Sequence, residues 1–347
     1  MYPALAVHSA LAAKVTDMDA LWVGSQGGME ESLVRRQGLS FRNVPAAGVH
    51  GVGLAALPRN LTMLGRGVLA ARRILNDFEP NVMFFTGGYV AVPVALAGRS
   101  IPTLLYVPDI EPGMALKSLA RFADAITVTT DQSQKFFSKP VYEVGYPLRA
   151  DLALWDRKTA NQHLGISGRA PVLLVFGGSL GAHSINMAVM NILRELLEKF
   201  EIIHLSGEQD WQIVNRTREE LPTEIASRYH ALPYLHDMGA ALAAADLVVS
   251  RAGASCLGEY PLFGLPAILV PYPHAWRYQK VNADYLTRRG AAITLEDHRL
   301  NDDLQVTLNV LIENPNKLKA MRAAMFELSH PRAAEKIASA LIELAGD

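Results

Sequence analysis

The stretch LVFGGSLGAHSINMA (174–188) decides how the chain is read. An apolar run rich in β-branched residues meets paired glycines, and helical spacing follows. That order is strand, turn, helix. Gly177, Gly178 and Gly181 supply the turn, because glycine lets the backbone reverse sharply and lie close to a ligand. Ser179 is placed to cap the helix and to donate to a phosphate oxygen, beside helix N–H groups that would hold an anion. No Gly-Lys-Ser/Thr follows, so this is not a Walker A loop. A tight turn with no ligand would use the same glycines.

Outward from it, the pattern repeats. PVLLVFGGS (171–179), EIIHLSG (201–207), DLVVSRAG (246–253) and PAILVPYP (266–273) read as buried strands with helices between them. An earlier series, ALWVGS (20–25), NVMFFTGG (81–88), TLLYVP (103–108) and AITVTT (125–130), has the same character. Near-continuous apolar strands alternating with helices imply parallel sheets covered on both faces, hence an α/β chain of two doubly wound domains. FFTGGYVAVPVALA (84–97) echoes the 174–188 stretch. Facing glycine turns at the carboxyl ends of two sheets predict a cleft for a phosphorylated ligand. The boundary is expected within 144–155, dividing a first domain (1–146) from a second (150–330), with an amphipathic last helix in 331–347.

Composition narrows the function. The 347 residues are 50% hydrophobic and 19% charged, ample for two cores. A formal net charge of -1 offers no global attraction to nucleic acid. A single cysteine, Cys256, excludes an internal disulfide framework and fits a reducing compartment. No signal peptide or membrane-spanning stretch is legible, so the expectation is a soluble, cytoplasmic protein.

Further candidates cluster in SRAGASCLGEYPLFGLPAILVPYPHAWRYQKVNA (250–283). Glu259 falls about two turns into a helix after a small-residue turn, where a carboxylate can accept both hydroxyls of a ribose. His274, Gln279 and Asn282 stand at the next loop-to-helix entry, suited to sugar hydroxyls. GVGLAA (51–56) fits a relaxed dinucleotide fingerprint, but Pro58 interrupts the helix that should follow. The aspartates of DMD (17–19) precede a strand instead of ending one. No His/Cys cluster has zinc spacing, and no metal or cofactor is expected. Residues 52–75 set Arg59, Arg66, Arg72 and Arg73 beside an apolar face, a pattern suited to anionic lipid or to an ordinary half-buried helix.

Taken together, PALAV (3–7), GGYV (87–90), PGMALKSLARFAD (112–124), GYPLR (145–149), GGSLGA (177–182), DMGAALAAADLVVSRAGAS (237–255) and PYPHAWRYQKVNA (271–283) resemble the peptidoglycan N-acetylglucosaminyltransferase family, MurG. The resemblance spans essentially the whole chain. It implies a GT-B fold of two Rossmann-like domains and inverting transfer of N-acetylglucosamine from its UDP donor to undecaprenyl-linked muramyl-peptide lipid I, giving lipid II. It further implies a peripheral enzyme on the cytoplasmic face of the membrane, using residues 52–75. Carried over by motif, Gly178, Ser179, Leu180, Gly181, Ala254 and Ser255 contact the donor. Leu235 and Met238 border the uracil, with Arg149 near the base. Glu259 holds the ribose, and Gln279 and Asn282 face the sugar. Gly87, Gly88, Tyr89 and Tyr106 fall on the acceptor side. The last helix packs back on the first domain.

Two departures follow. In the family a strand and a glycine-rich loop ending in histidine precede the proline equivalent to Pro3. The resemblance therefore implies that this segment lies upstream of a late-assigned start, or is lacking; His8, within a helix, is no substitute. YVPDIEPG (106–113) stands where the family has His-Glu-Gln-Asn. There Asp109 is a candidate to orient the acceptor hydroxyl or take its proton, with helix capping as the alternative. A related transferase with another acceptor, or a UDP-sugar-binding protein without turnover, stays open.

Overall fold

The computed structural model describes residues 1–25, 29–46, 57–178, 180–274 and 278–346. The chain folds into two compact units, one made of Met1–Pro147 with Arg332–Asp347 and the other of Leu148–Pro331.

In the first unit, β1 (Leu21–Gly24) and β2 (Ser40–Asn43) pair in parallel. A second parallel sheet runs β3 (Met83–Phe85), β4 (Thr103–Val107), β5 (Ala125–Val128) and β6 (Tyr142–Glu143), in that order. Every residue of β4 is buried, as its unbroken apolar run requires. Alternate strand residues face opposite layers. Leu105 and Val107 join Met83, Phe85, Val94 and Leu119 on one side. Leu104 and Tyr106 join Val7, Val144, Ile337 and Leu341 on the other. The latter layer consists of the helix Tyr2–Ala12, with Pro3 in its first turn, packed on the helix Ala333–Ala345.

The second unit carries β7 (Val172–Phe176), β8 (Glu201–Leu205), β9 (Tyr229–Leu232), β10 (Leu247–Ser250), β11 (Ala267–Leu269) and β12 (Ala292–Thr294). They form one parallel sheet ordered β12-β11-β10-β7-β8-β9. Counted from its own first strand this is 3-2-1-4-5-6 read from the far edge, the doubly wound order. Leu173, Val175, Ile185, Val189, Val249 and Leu308 share its main core. The order reverses between β7 and β10, which are hydrogen-bonded neighbours, and sheets of this kind bind ligands outside the carboxyl ends of the strands at such a point.

Candidate functional site

The glycine turn leaves β7 at this switch point. Gly178 has φ +93° and Gly181 φ +79°, and the Gly181 N–H donates to the Gly178 carbonyl at 3.0 Å. A Cβ on Gly177 would stand 2.2 Å from the Ala182 nitrogen. One on Gly181 would stand 2.2 Å from the Ser206 carbonyl oxygen. Both positions therefore exclude any side chain, and the turn lies directly on the 206–207 backbone. Leu180 at its tip is 69% exposed. Ser179 lies outside the described residues, as do residues 51–56. The turn opens the helix His183–Asn191, whose leading N–H groups lack intrahelical partners.

A buried chain of hydrogen bonds supports this turn. Asn186 Nδ2 donates to the Ser206 carbonyl (2.8 Å) and to Asp210 Oδ2 (2.7 Å). Asp210 Oδ1 meets His183 Nδ1 at 2.9 Å, and His204 lies between Asn186 Oδ1 (3.0 Å) and the Tyr229 hydroxyl (2.7 Å). Burial pushes the His204 imidazole down to about 4, so it is neutral at pH 7.

β10 feeds the opposite lip. Ala254 and Ser255 are half-buried ahead of the helix Cys256–Phe263, in whose first turn Glu259 sits. Burial raises the Glu259 carboxyl above the usual carboxylate range, while a Ser255 hydrogen bond and the Arg149 charge act against that rise. Arg149 and Glu259 therefore share one neighbourhood within this unit, and Arg149 also pairs with Asp151 at 3.3 Å. Leu235 is half-buried, and Met238 opens the helix Met238–Ala244. Gln279, in the helix Tyr278–Arg288, accepts the Tyr272 N–H at 2.8 Å. Exposed His274 meets the Tyr272 ring edge-on, 5.5 Å between centroids.

Two of the expected site residues are fully buried. Asn282 has no exposed surface, and its Nδ2 donates to the Ala252 carbonyl at 3.2 Å. That bond ties its helix to the turn after β10. Tyr106 is likewise fully buried, its hydroxyl 2.7 Å from Thr129 Oγ1 and donating to the Gly145 carbonyl at 3.3 Å. Strand alternation turns it into the helix layer. Desolvation also raises its phenol well above the ordinary value.

Elsewhere in the first unit, Gly87 (φ +114°) and Gly88 (φ +92°) follow β3, and Tyr89 beside them is 58% exposed. Asp109, two residues beyond β4, is half-buried. The helix Leu57–Phe78 exposes Leu61 and Leu69 together with Arg59, Arg66, Arg72 and Arg73. A recess of about 440 Å³ is lined by Pro45, Arg59, Thr62, Met63 and Arg66. Among the described residues no helix is long and apolar enough to cross a membrane, and no group of His, Cys, Asp and Glu could hold a metal ion.

In the second unit, Arg251 lies at the carboxyl end of β10. In the sequence it stands out as a cation set immediately after a buried strand, in a turn otherwise built of small neutral residues.

Comparison with known proteins follows the same division. Residues 1–128 match the glycosyltransferase family 28 N-terminal domain, and residues 172–337 match its C-terminal domain. A protein of Roseiflexus sp. (strain RS-1) is 39% identical, the match covering 97% of this chain and 91% of the relative. One of Desulforudis audaxviator (strain MP104C) is 37% identical, over 100% of this chain and 95% of the relative. Both bear the name UDP-N-acetylglucosamine--N-acetylmuramyl-(pentapeptide) pyrophosphoryl-undecaprenol N-acetylglucosamine transferase. The crystal structure of MurG from Acinetobacter baumannii superposes with a TM-score of 0.79 at 25% identity, over 99% of this chain and 95% of that one. The calicheamicin glycosyltransferase CalG4, at 15% identity and a TM-score of 0.69 over 100% and 96%, shares the fold.

Proposed function

We propose, from the premise that this chain belongs to the MurG family of glycosyltransferase family 28, that it transfers N-acetylglucosamine from UDP-N-acetylglucosamine to lipid I, forming lipid II with inversion at the anomeric carbon. The observation that carries the donor half is the pairing, at one switch point, of the Gly177–Gly181 turn with the Ser255–Glu259 helix start. A diphosphate suits the first and a ribose diol the second.

In the reaction, a hydroxyl of the muramyl sugar attacks the anomeric carbon from the face opposite UDP. A bond forms to that oxygen as the bond to the β-phosphate oxygen breaks, and the hydroxyl proton passes to a base. Charge grows on the departing diphosphate, where the N–H groups of the turn and of the helix His183–Asn191 would stabilise it without reorganising. Glu259 would fix the ribose, Arg149 and the Leu235–Met238 loop the uracil, and Gln279 the sugar. Asp109 is our candidate for orienting the acceptor hydroxyl or taking its proton. Gly87, Gly88 and Tyr89 would border the acceptor.

The helix Leu57–Phe78 would rest on the cytoplasmic face of an anionic membrane, its leucines at the acyl boundary and its arginines at headgroups. Transfer of radiolabelled N-acetylglucosamine to lipid I in vesicles tests both parts. Label should enter lipid II, faster on anionic than on neutral vesicles. Donor hydrolysis without lipid II would refute the acceptor assignment, and equal rates on both vesicles would refute the membrane role.

A further inference from the structure

Arg251, the first residue beyond β10, is only 10% exposed at its side chain, yet it joins its own turn to three other segments. Nη1 donates to Asp297 Oδ1 and to the Val270 carbonyl (3.1 Å). Nη2 donates to Ser184 Oγ at 2.8 Å. Ser184 Oγ in turn donates to the same Asp297 oxygen at 2.7 Å, closing a ring of three side chains. The guanidinium also lies 5.1 Å from the centre of the Tyr272 ring, a cation–π distance.

Each partner belongs to a segment at the carboxyl edge of the sheet. Ser184 is the second residue of the helix opened by the glycine turn. Val270 follows β11, and Tyr272 beyond it is held by Gln279. We infer that Arg251 is a positioning residue that fixes the turn expected to hold the diphosphate and the loop expected to meet the sugar as one preorganised assembly. The inference rests on the donor reading above and adds to it a residue with no assigned part in binding.

Only an arginine meets these demands. Its planar fork serves Asp297, Val270 and Ser184 while its face covers Tyr272, and a lysine has neither the fork nor the face. β10 carries a comparison at its other end. There Arg157 pairs with Asp246 and donates to the Ala244 carbonyl (3.0 Å), at the strand's amino side and away from the switch point. A merely structural ion pair behaves like that one, contributing to stability with no bearing on substrate.

The test uses the full chain and measures steady-state transfer with UDP inhibition. Arg251→Lys keeps the charge and removes the geometry. KM for UDP-N-acetylglucosamine and the inhibition constant for UDP should each rise about tenfold or more, with kcat and the acceptor KM within about threefold. Ser184→Ala and Asp297→Asn should move the same two constants about three- to tenfold. Adding Ser184→Ala to Arg251→Lys should add less than its single effect, because both open one ring. Arg157→Gln should leave KM unchanged.

The inference is overturned if Arg251→Lys leaves both donor constants unchanged, or if Arg157→Gln shifts them equally. Should Arg251→Lys fail to fold, Ser184→Ala and Asp297→Asn decide, and unchanged constants in both overturn it. A folded parent chain that binds no UDP-N-acetylglucosamine would instead refute the donor reading.

Discussion

Gln279 shows how much a single hydrogen bond can decide. The Tyr272 N–H can only meet an acceptor, so the side-chain oxygen of Gln279 is the atom turned toward it. The amide nitrogen is then the end that can read a sugar. Gln279→Glu keeps an oxygen for Tyr272 and replaces the nitrogen by a charged acceptor. KM for UDP-N-acetylglucosamine should rise about tenfold while UDP inhibition changes less than about twofold. An equal loss for UDP in inhibition assays would remove Gln279 from the sugar. At this scale the sequence was informative where a residue type has one use. Gly177 and Gly181 sit where no Cβ fits. Burial was not legible there: Asn282 and Tyr106 look like exposed polar residues in the string, and the packing of their helix and strand turns them inward.

Among elements, the apolar runs of β3, β4, β5, β7, β8, β10 and β11 were plain in the sequence, because strands buried on both faces need unbroken hydrophobicity. β2, β6, β9 and β12 were not. Each ends a sheet and carries polar or incompletely buried positions: SFRN, YE, YHAL and AIT. The chain linking β8, β9 and the helix His183–Asn191 was also invisible, since His204, Asn186 and Tyr229 are distant in sequence. It makes a pH prediction. Folded His204 titrates near 4, whereas an unfolded histidine titrates near 6.5, so the unfolded chain binds the extra proton in between. Stability should fall as pH drops from 6.5 toward 4, this group contributing up to about 3 kcal/mol. Urea midpoints should show that slope in the parent and a shallower one in His204→Gln. Identical slopes would mean that His204 is not buried neutral.

For the whole molecule, the two units have separate cores, and the chain returns to the first after completing the second. Ile337, fully buried with Val7, Leu104 and Tyr106, belongs to the first core although it lies near the end of the sequence. Ile337→Ala should cost about 2–5 kcal/mol of stability in that unit, read by thermal unfolding. UDP affinity should be unchanged, and a parallel loss would contradict the independence of the donor site. The alternation of strands and helices made two doubly wound units legible. The strand order did not follow from it, because the same series fits several crossovers.

We propose the β7–β10 switch point of Leu148–Pro331 as the place that holds the UDP-sugar. The most direct test is calorimetric titration of the chain and of Glu259→Gln with UDP-N-acetylglucosamine, UDP and UDP-N-acetylgalactosamine. UDP-N-acetylglucosamine should be preferred over UDP-N-acetylgalactosamine, with Glu259→Gln weakening UDP and UDP-N-acetylglucosamine alike, about tenfold or more. Binding left intact by Glu259→Gln, or absent from a folded parent, would contradict it.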